Sequence, residues 1–331
     1  MIGQVQLRIA PPSLHDELHG YLERLMRGFV KPPAASAEAA ALETVPERVF
    51  EVMTGRDFCY LSKARVGVYR EGVLSRLAAS VRKREPLGFY FDIGGGYHAS
   101  IRPGSEALTF QVGLAELFVL SQAAEFAARV SRIYPVGIHF TLVIDNLCAL
   151  LVNDIPVART LGYCAALREL IRGVGLDSIV DVLVESEHFS PADLERIRMA
   201  THSAPTAITR KQHENVARFL GRPCDEKEAS ERMRRYREVI DASDQLLESM
   251  IPGVHMTQRA TSGTICFRPF PGGDSRIQCG EVALTRKSNL KLYPILLTSG
   301  NVADHDCNPY RFPGVIPPVI SHVTYAERLV A

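Results

Sequence analysis

The stretch LAELFVLSQAAEFAARVSRIYPVGIHFTLVID, residues 114–145, decides the fold, because its pattern changes from helix to strand across one short turn. Its first part, 114–133, has apolar residues at helical spacing, and its last part, 137–145, is a short apolar run typical of a strand. The alternation continues on both sides, in the predicted strand PLGFYFDI (86–93), helix RTLGYCAALRELIRGVG (159–175) and strand SIVDVLVES (178–186). This alternation predicts right-handed βαβ units and a mostly parallel sheet with helices on both faces.

The chain on either side of this α/β region has a different character. Residues 1–80 contain amphipathic helical patterns, and residues beyond 253 contain β-type runs separated by Pro, Gly, Asp and Ser turns. The sequence therefore predicts three regions. They are an N-terminal helical region at 1–80, an α/β domain at 81–205, and a helical plus β C-terminal region at 206–331 that completes the site.

The composition excludes several classes of function. The 38 basic residues nearly balance the 37 acidic ones, so no field of one sign would attract a nucleic acid or an anionic membrane. The seven cysteines include no CxxC pair, which argues against a disulfide framework and a zinc site, and no metal is expected. The longest apolar run, LCALLV at 147–152, is too short to cross a bilayer. We expect a cytoplasmic protein with a small-molecule substrate, and the sequence leaves a homodimer open.

An acidic residue follows each of the three predicted parallel strands, namely Asp92, Asp145 and Glu185. Ligands of open α/β sheets bind in the crevice beyond the carboxyl ends of the strands. An acid at the end of a buried strand must be solvated, paired or facing a ligand. We expect at least two of the three to line a site, and the alternative is that they cap helices or lie in loops.

The chemistry of these acids favours a cationic ligand. Carboxylates suit ribose hydroxyls, an ammonium or a sulfonium, and they repel a phosphate. No lysine occurs between Arg84 and Arg210, so this region offers none for a sugar phosphate or an imine. The glycines 94–96 are not followed at once by a helix, which argues against a nucleotide-phosphate loop. They resemble weakly the glycine loop of class I methyltransferases, and a plain flexible turn is the alternative.

Several residues of the α/β region resemble a known family. They are Tyr134, Pro135 and Gly137 in the turn before the second strand, Asp145 at its end, and Tyr163 in the next helix. This pattern is similar to that of the isocyanide synthases of dityrosine, pyoverdine and related pathways. The resemblance implies a Rossmann-like domain with a smaller appended domain. It also implies conversion of an amino acid's amine to an isocyanide with ribulose-5-phosphate.

Two departures from the family pattern predict a changed co-substrate. The family has a lysine-containing element after the first strand, where this chain has GGGYHAS, and the family's Asp-Gly is Asp145-Asn146 here. The leading hypothesis is therefore an enzyme like the azetidine-2-carboxylate synthases, which convert S-adenosylmethionine to the four-membered amino acid and methylthioadenosine. The alternatives are a true isocyanide synthase that uses Lys287 or Lys291, and an inactive family member that only binds a ligand.

This hypothesis assigns roles to particular residues. Asn146 with Tyr97 or Tyr163 would position the amine, and His98 and His188 are candidate proton acceptors, although either could be an ordinary loop histidine. The predicted catalytic residues are Asn146, Tyr97, Tyr163 and His98. The residues predicted to bind S-adenosylmethionine are Asp92, Gly94, Gly95, Gly96, Asp145, Glu185 and His188.

Overall fold

The computed structural model describes residues 12–29, 41–59, 66–93, 112–153, 155–200, 207–220, 222–256, 282–286, 291–297 and 302–329. The helices are α1 (Pro12–Arg27), α2 (Val45–Met53), α3 (Arg70–Lys83), α4 (Leu114–Ser131), α5 (Asn146–Asn153), α6 (Val157–Gly173), the short α7 (Glu185–His188), α8 (Pro191–Ala200), α9 (Arg210–Leu220) and α10 (Glu226–Met250). The strands are β1 (Leu87–Asp92), β2 (Ile138–Ile144), β3 (Val180–Val184), β4 (Val254–His255), β5 (Val282–Arg286), β6 (Leu292–Leu296), β7 (His305–Tyr310) and β8 (Val323–Arg328).

The first sheet has the strand order β3-β2-β1-β4. Strand β1 pairs in parallel with β2, from Leu87 opposite Ile138 to Asp92 opposite Val143, and it pairs in parallel with β4 on its other side. Side chains on both faces of β1 are buried, as expected of a parallel strand covered on both faces. The predicted α/β fold with a mostly parallel sheet is confirmed.

Aromatic side chains pack the centre of this sheet against helix α4. The ring of Phe126 meets that of Phe89 edge-on at 5.2 Å, and it also lies 5.8 Å from the ring of Phe140. All three side chains are almost completely buried. Edge-to-face pairs add to the free energy gained by burying large rings, so this cluster fixes α4 against β1 and β2.

The chain divides into two compact units. The first comprises residues 1–144, 161–183 and 253–331, and the second comprises 145–160 and 184–252. The first unit includes the parallel sheet and the N-terminal helices α1, α2 and α3. It also contains a smaller sheet of order β6-β5-β8-β7, which confirms the predicted β-containing C-terminal region.

The second unit is helical, and its core lies between α5, α8 and α10. The buried side chains of this core are Leu147, Cys148, Val152, Leu194, Val239 and Ile240. Ser190 caps the start of helix α8, and its Oγ accepts a hydrogen bond from the amide of Asp193 at 3.2 Å. Among the described residues, no helix combines the length and the apolar character that a bilayer span requires.

Arg234, in the arginine-rich stretch 232–237 of α10, is largely buried. Only 13% of the Arg234 side chain is exposed, and its guanidinium donates to the fully buried carboxylate of Glu238 at 2.6 Å. Arg198 of α8 donates to the other oxygen of the same carboxylate at 2.9 Å. A buried carboxylate is stable only when it is paired in this way, so the arginine contributes to the packing of α8 against α10.

Candidate functional site

A buried carboxylate and a buried imidazole meet at the end of strand β1. Asp92 is the last residue of the strand, and its Oδ2 lies 3.4 Å from Nε2 of His255 in β4. The two residues are 7% and 2% exposed, respectively. If Nε2 carries a proton and donates it toward Asp92, then Nδ1 carries the lone pair and can accept a second proton. The pair can therefore act as a proton acceptor with a built-in counter-ion.

The backbone and an aromatic ring fix the position of His255. In the register of the parallel pair, His255 lies opposite Tyr90, and the two rings stack with centroids 4.5 Å apart and planes 6° apart. The amide of Met256 donates to the carbonyl of Tyr90 at 2.6 Å. Gly253 precedes this strand at a close approach to β1, because a Cβ there would lie 2.7 Å from the carbonyl oxygen of Gly88. The imidazole thus has one well-defined orientation.

Glu185, the predicted ligand residue after β3, bonds to the protein itself. It is fully buried, and its Oε2 accepts hydrogen bonds from the amides of Leu147 at 3.1 Å and Cys148 at 3.4 Å. Its Oε1 accepts a hydrogen bond from the hydroxyl of Ser243. The first amides of a helix have no partner within the helix, and the helix dipole favours an anion there. Glu185 therefore caps α5, and its predicted contact with ribose stays a prediction.

Asn146, the predicted amine-positioning residue, is also fully buried and bonded within the second unit. Its Nδ2 donates to the hydroxyls of Thr160 at 3.0 Å and Ser186 at 2.8 Å, and its Oδ1 accepts from the amide of Ser186 at 3.1 Å. The side chain thus joins the start of α5 to the start of α7. Asp145 precedes it as the N-cap of α5, where its carbonyl accepts from the amide of Ala149.

Tyr163, the other described candidate for positioning the amine, bonds to a buried acid that sequence reasoning did not select. Its hydroxyl donates to Oε1 of Glu116 at 2.9 Å, and the amide of Gly113 donates to Oε2 at 2.7 Å. Burial raises the pKa of Glu116, and the hydrogen bonds from Gly113, from its own amide and from Tyr163 offset part of that rise. The acid closes the first turn of α4 as the glutamate of a capping box does.

The raised pKa of Glu116 gives a testable pH dependence. The folded chain holds the Glu116 proton more tightly than the unfolded chain, so the contribution of Glu116 to stability is greatest below the ordinary pKa of 4.5 and is lost as pH rises through the folded pKa. We expect the Glu116→Gln variant to lack this fall when urea unfolding is measured over a pH series. The exposed glutamate of the same helix is the control, and Glu125→Gln should keep the slope. A wild-type-like slope in Glu116→Gln would contradict the assignment.

The remaining predicted residues fall into two groups. His188 is exposed at the end of α7. Asp92 belongs to the first unit, whereas Asp145 and Glu185 belong to the second, so their predicted shared crevice stays a prediction. Outside the described residues lie Gly94, Gly95, Gly96, Tyr97, His98 and Lys287.

His255 and Glu116 are not among the site residues predicted from the sequence. The only sequence signal for His255 is a histidine within the short apolar run GVHM, which was assigned to the C-terminal β region. Glu116 stands three residues after Gly113, but a glycine lacks the side-chain oxygen that marks a capping box in a sequence. For neither residue does the neighbouring sequence indicate whether the side chain is buried and paired or exposed at the surface.

Comparisons with known proteins agree with this architecture. No protein-family model matches the chain, and no curated protein matches it in sequence. Among solved structures, the chain is similar to the PvcA protein from Pseudomonas aeruginosa, with a TM-score of 0.63 and 17% sequence identity. The similarity covers 86% of this chain and 100% of PvcA. The chain has a PvcA-like fold. At this identity the similarity establishes the fold, and the chemistry must be argued from the residues.

Proposed function

We propose that this protein is an enzyme that consumes S-adenosylmethionine by intramolecular displacement. The α-amino nitrogen attacks Cγ of the same molecule, the Cγ–S bond breaks, and its electron pair stays on the sulfur of methylthioadenosine. The other product is azetidine-2-carboxylate. Because the amine of the substrate is protonated at neutral pH, one proton must leave it before the attack, and one proton is released for each turnover.

The observation that supports this proposal is the buried Asp92–His255 pair at the carboxyl edge of the parallel sheet. Ligands of such sheets bind beyond this edge. A carboxylate there favours the ammonium and the sulfonium of this substrate, and an imidazole beside it can accept the proton that must leave. The absence of lysine between Arg84 and Arg210 fits a cationic substrate better than a sugar phosphate.

The chemistry requires a curled substrate more than a reactive protein group. If the enzyme binds the substrate with its amine already in line with the Cγ–S bond, the entropic part of the activation free energy falls, an effect of several kcal/mol. Excluding water prevents competing attack on the sulfonium.

The test is incubation of the purified protein with S-adenosylmethionine alone, followed by chromatography of the products. The expected result is methylthioadenosine together with an equal amount of azetidine-2-carboxylate. The product amino acid decides the mechanism, because attack by the substrate's own carboxylate would give homoserine lactone instead. Release of methylthioadenosine at the rate of a heat-inactivated control would contradict the proposal. A thermal shift with the substrate but no product would indicate a binding protein.

The sequence resemblance to isocyanide synthases supports a second candidate function. Such an enzyme would need an amino acid and ribulose-5-phosphate, and a lysine to bind the sugar. Lys291, which lies just before β6, is exposed, so it is accessible to substitution without loss of packing. If isocyanide forms only with the sugar phosphate present, and Lys291→Met or Lys287→Met abolishes it, this second function replaces the first.

A further inference from the structure

The proposed reaction needs a group that takes the proton from the substrate's ammonium, and the inference that follows rests on that proposed function. We propose that His255 accepts this proton and that Asp92 positions the imidazole and stabilises its charged form. Sequence reasoning assigned this role to His98 or His188. The geometry points instead to the histidine that pairs with the acid at the end of β1.

Burial distinguishes His255 from the other histidines. Among the residues that the structure describes, it is the one histidine that is buried, at 2% exposed, and its Nε2 lies 3.4 Å from a buried carboxylate oxygen. His188 is exposed, so solvent would compete for its proton. Glu116 is buried, but both of its carboxylate oxygens accept hydrogen bonds from Gly113 and Tyr163. The Asp92–His255 pair therefore suits proton transfer best.

Two contacts hold the imidazole in one orientation. The face of the ring stacks on Tyr90 at 4.5 Å, and the strand that carries His255 pairs with the backbone of β1. In the tautomer whose Nε2–H donates to Asp92, the lone pair resides on Nδ1. A ring held in this way needs no reorganisation when it becomes positively charged, because its counter-ion is already beside it.

The proton and the electron pairs balance. One N–H bond of the substrate ammonium breaks, and its proton moves to the lone pair of the imidazole. The freed nitrogen pair forms the N–Cγ bond while the Cγ–S pair moves to sulfur. The imidazolium, paired with the Asp92 carboxylate, then returns the proton to solvent as the products leave. No oxidant, reductant or second substrate is needed.

The experiment compares three variants in the methylthioadenosine assay. His255→Gln keeps the size and polarity of the side chain but removes the proton acceptor. Asp92→Asn keeps the shape but removes the counter-ion. His139→Gln is the matched control, because His139 forms the same kind of pair with Asp181 at 2.9 Å, on exposed side chains of β2 and β3. Affinity for S-adenosylhomocysteine, which cannot cyclise, reports ligand binding separately from chemistry.

A proton acceptor typically contributes about 10²–10⁴-fold to the rate. His255→Gln should therefore lower kcat at least about 100-fold while KM and the affinity for S-adenosylhomocysteine change less than about threefold. Asp92→Asn should also lower kcat, and His139→Gln should have the kcat of the wild type. If His255→Gln does not fold, as judged by circular dichroism, the loss of kcat in Asp92→Asn decides the question.

Three results overturn the assignment in distinguishable ways. A folded His255→Gln variant with wild-type kcat overturns it and leaves the proposed function intact. An equal loss of kcat and of S-adenosylhomocysteine affinity shows that the pair only shapes the site. Background release of methylthioadenosine by the wild type overturns the proposed function and the assignment together.

Discussion

The Gly253→Ala variant is expected to have a kcat about 100-fold below that of the wild type, although no reacting atom is changed. A Cβ at position 253 would lie 2.7 Å from the carbonyl oxygen of Gly88 and 2.8 Å from its carbonyl carbon. Both atoms belong to the backbone of β1, so the neighbour cannot rotate away. Strand β4 must therefore move, and it carries His255 only two residues later. A displacement of about 1 Å at a reacting group can cost about 100-fold in rate.

Stability should fall in the same variant, by about 1–3 kcal/mol, because overpacking forces the backbone to shift. Urea unfolding and the methylthioadenosine assay measure the two effects. The control is Gly72→Ala in α3, where a Cβ would meet no atom within 4 Å and alanine should stabilise the helix by about 0.5–1 kcal/mol. Wild-type turnover and stability in Gly253→Ala would show that the close approach of Gly253 to Gly88 does not determine the position of His255.

The contrast between Asp92 and His255 shows how far the sequence could predict the site. Asp92 follows a buried strand directly, so its position at the carboxyl edge of the sheet could be predicted from local pattern alone. His255 is 163 residues away along the chain, in a strand of only two residues. Pairing over such a separation leaves no local signal, since a two-residue strand has no measurable periodicity. The parallel sheet could be predicted, but the partner of Asp92 could not.

Glu185 shows a different limit. The sequence correctly predicts that an acid follows β3. It assigns LCALLV at 147–152 to no element, so the N-terminus of a helix is not predicted there. The structure forms α5 over Asn146–Asn153, and its first amides point to the Glu185 carboxylate. An acid that caps a helix 37 residues earlier in the chain looks, in sequence, like an acid that faces a ligand. Only the tertiary contact separates the two roles.

The two roles of Glu185 predict different results on substitution. As a cap, its carboxylate accepts hydrogen bonds from two amides of α5 and from the hydroxyl of Ser243, and all four residues are buried. The Glu185→Ala variant would leave these donors without acceptors and open a cavity, so we expect the free energy of unfolding to fall by about 3–5 kcal/mol. Glu185→Gln keeps one acceptor oxygen and loses the charge at the helix end, so about half of that loss is expected.

The exposed Glu187 of the same helical turn provides the matched control, and Glu187→Ala should change stability by less than about 0.5 kcal/mol. Urea unfolding followed by circular dichroism gives all three values. A residue that served only to bind ribose would give the opposite pattern, in which both Glu185 variants unfold like the wild type and KM for S-adenosylmethionine rises. The change in the free energy of unfolding of Glu185→Ala therefore decides whether this acid stabilises the fold of the second unit or binds a ligand.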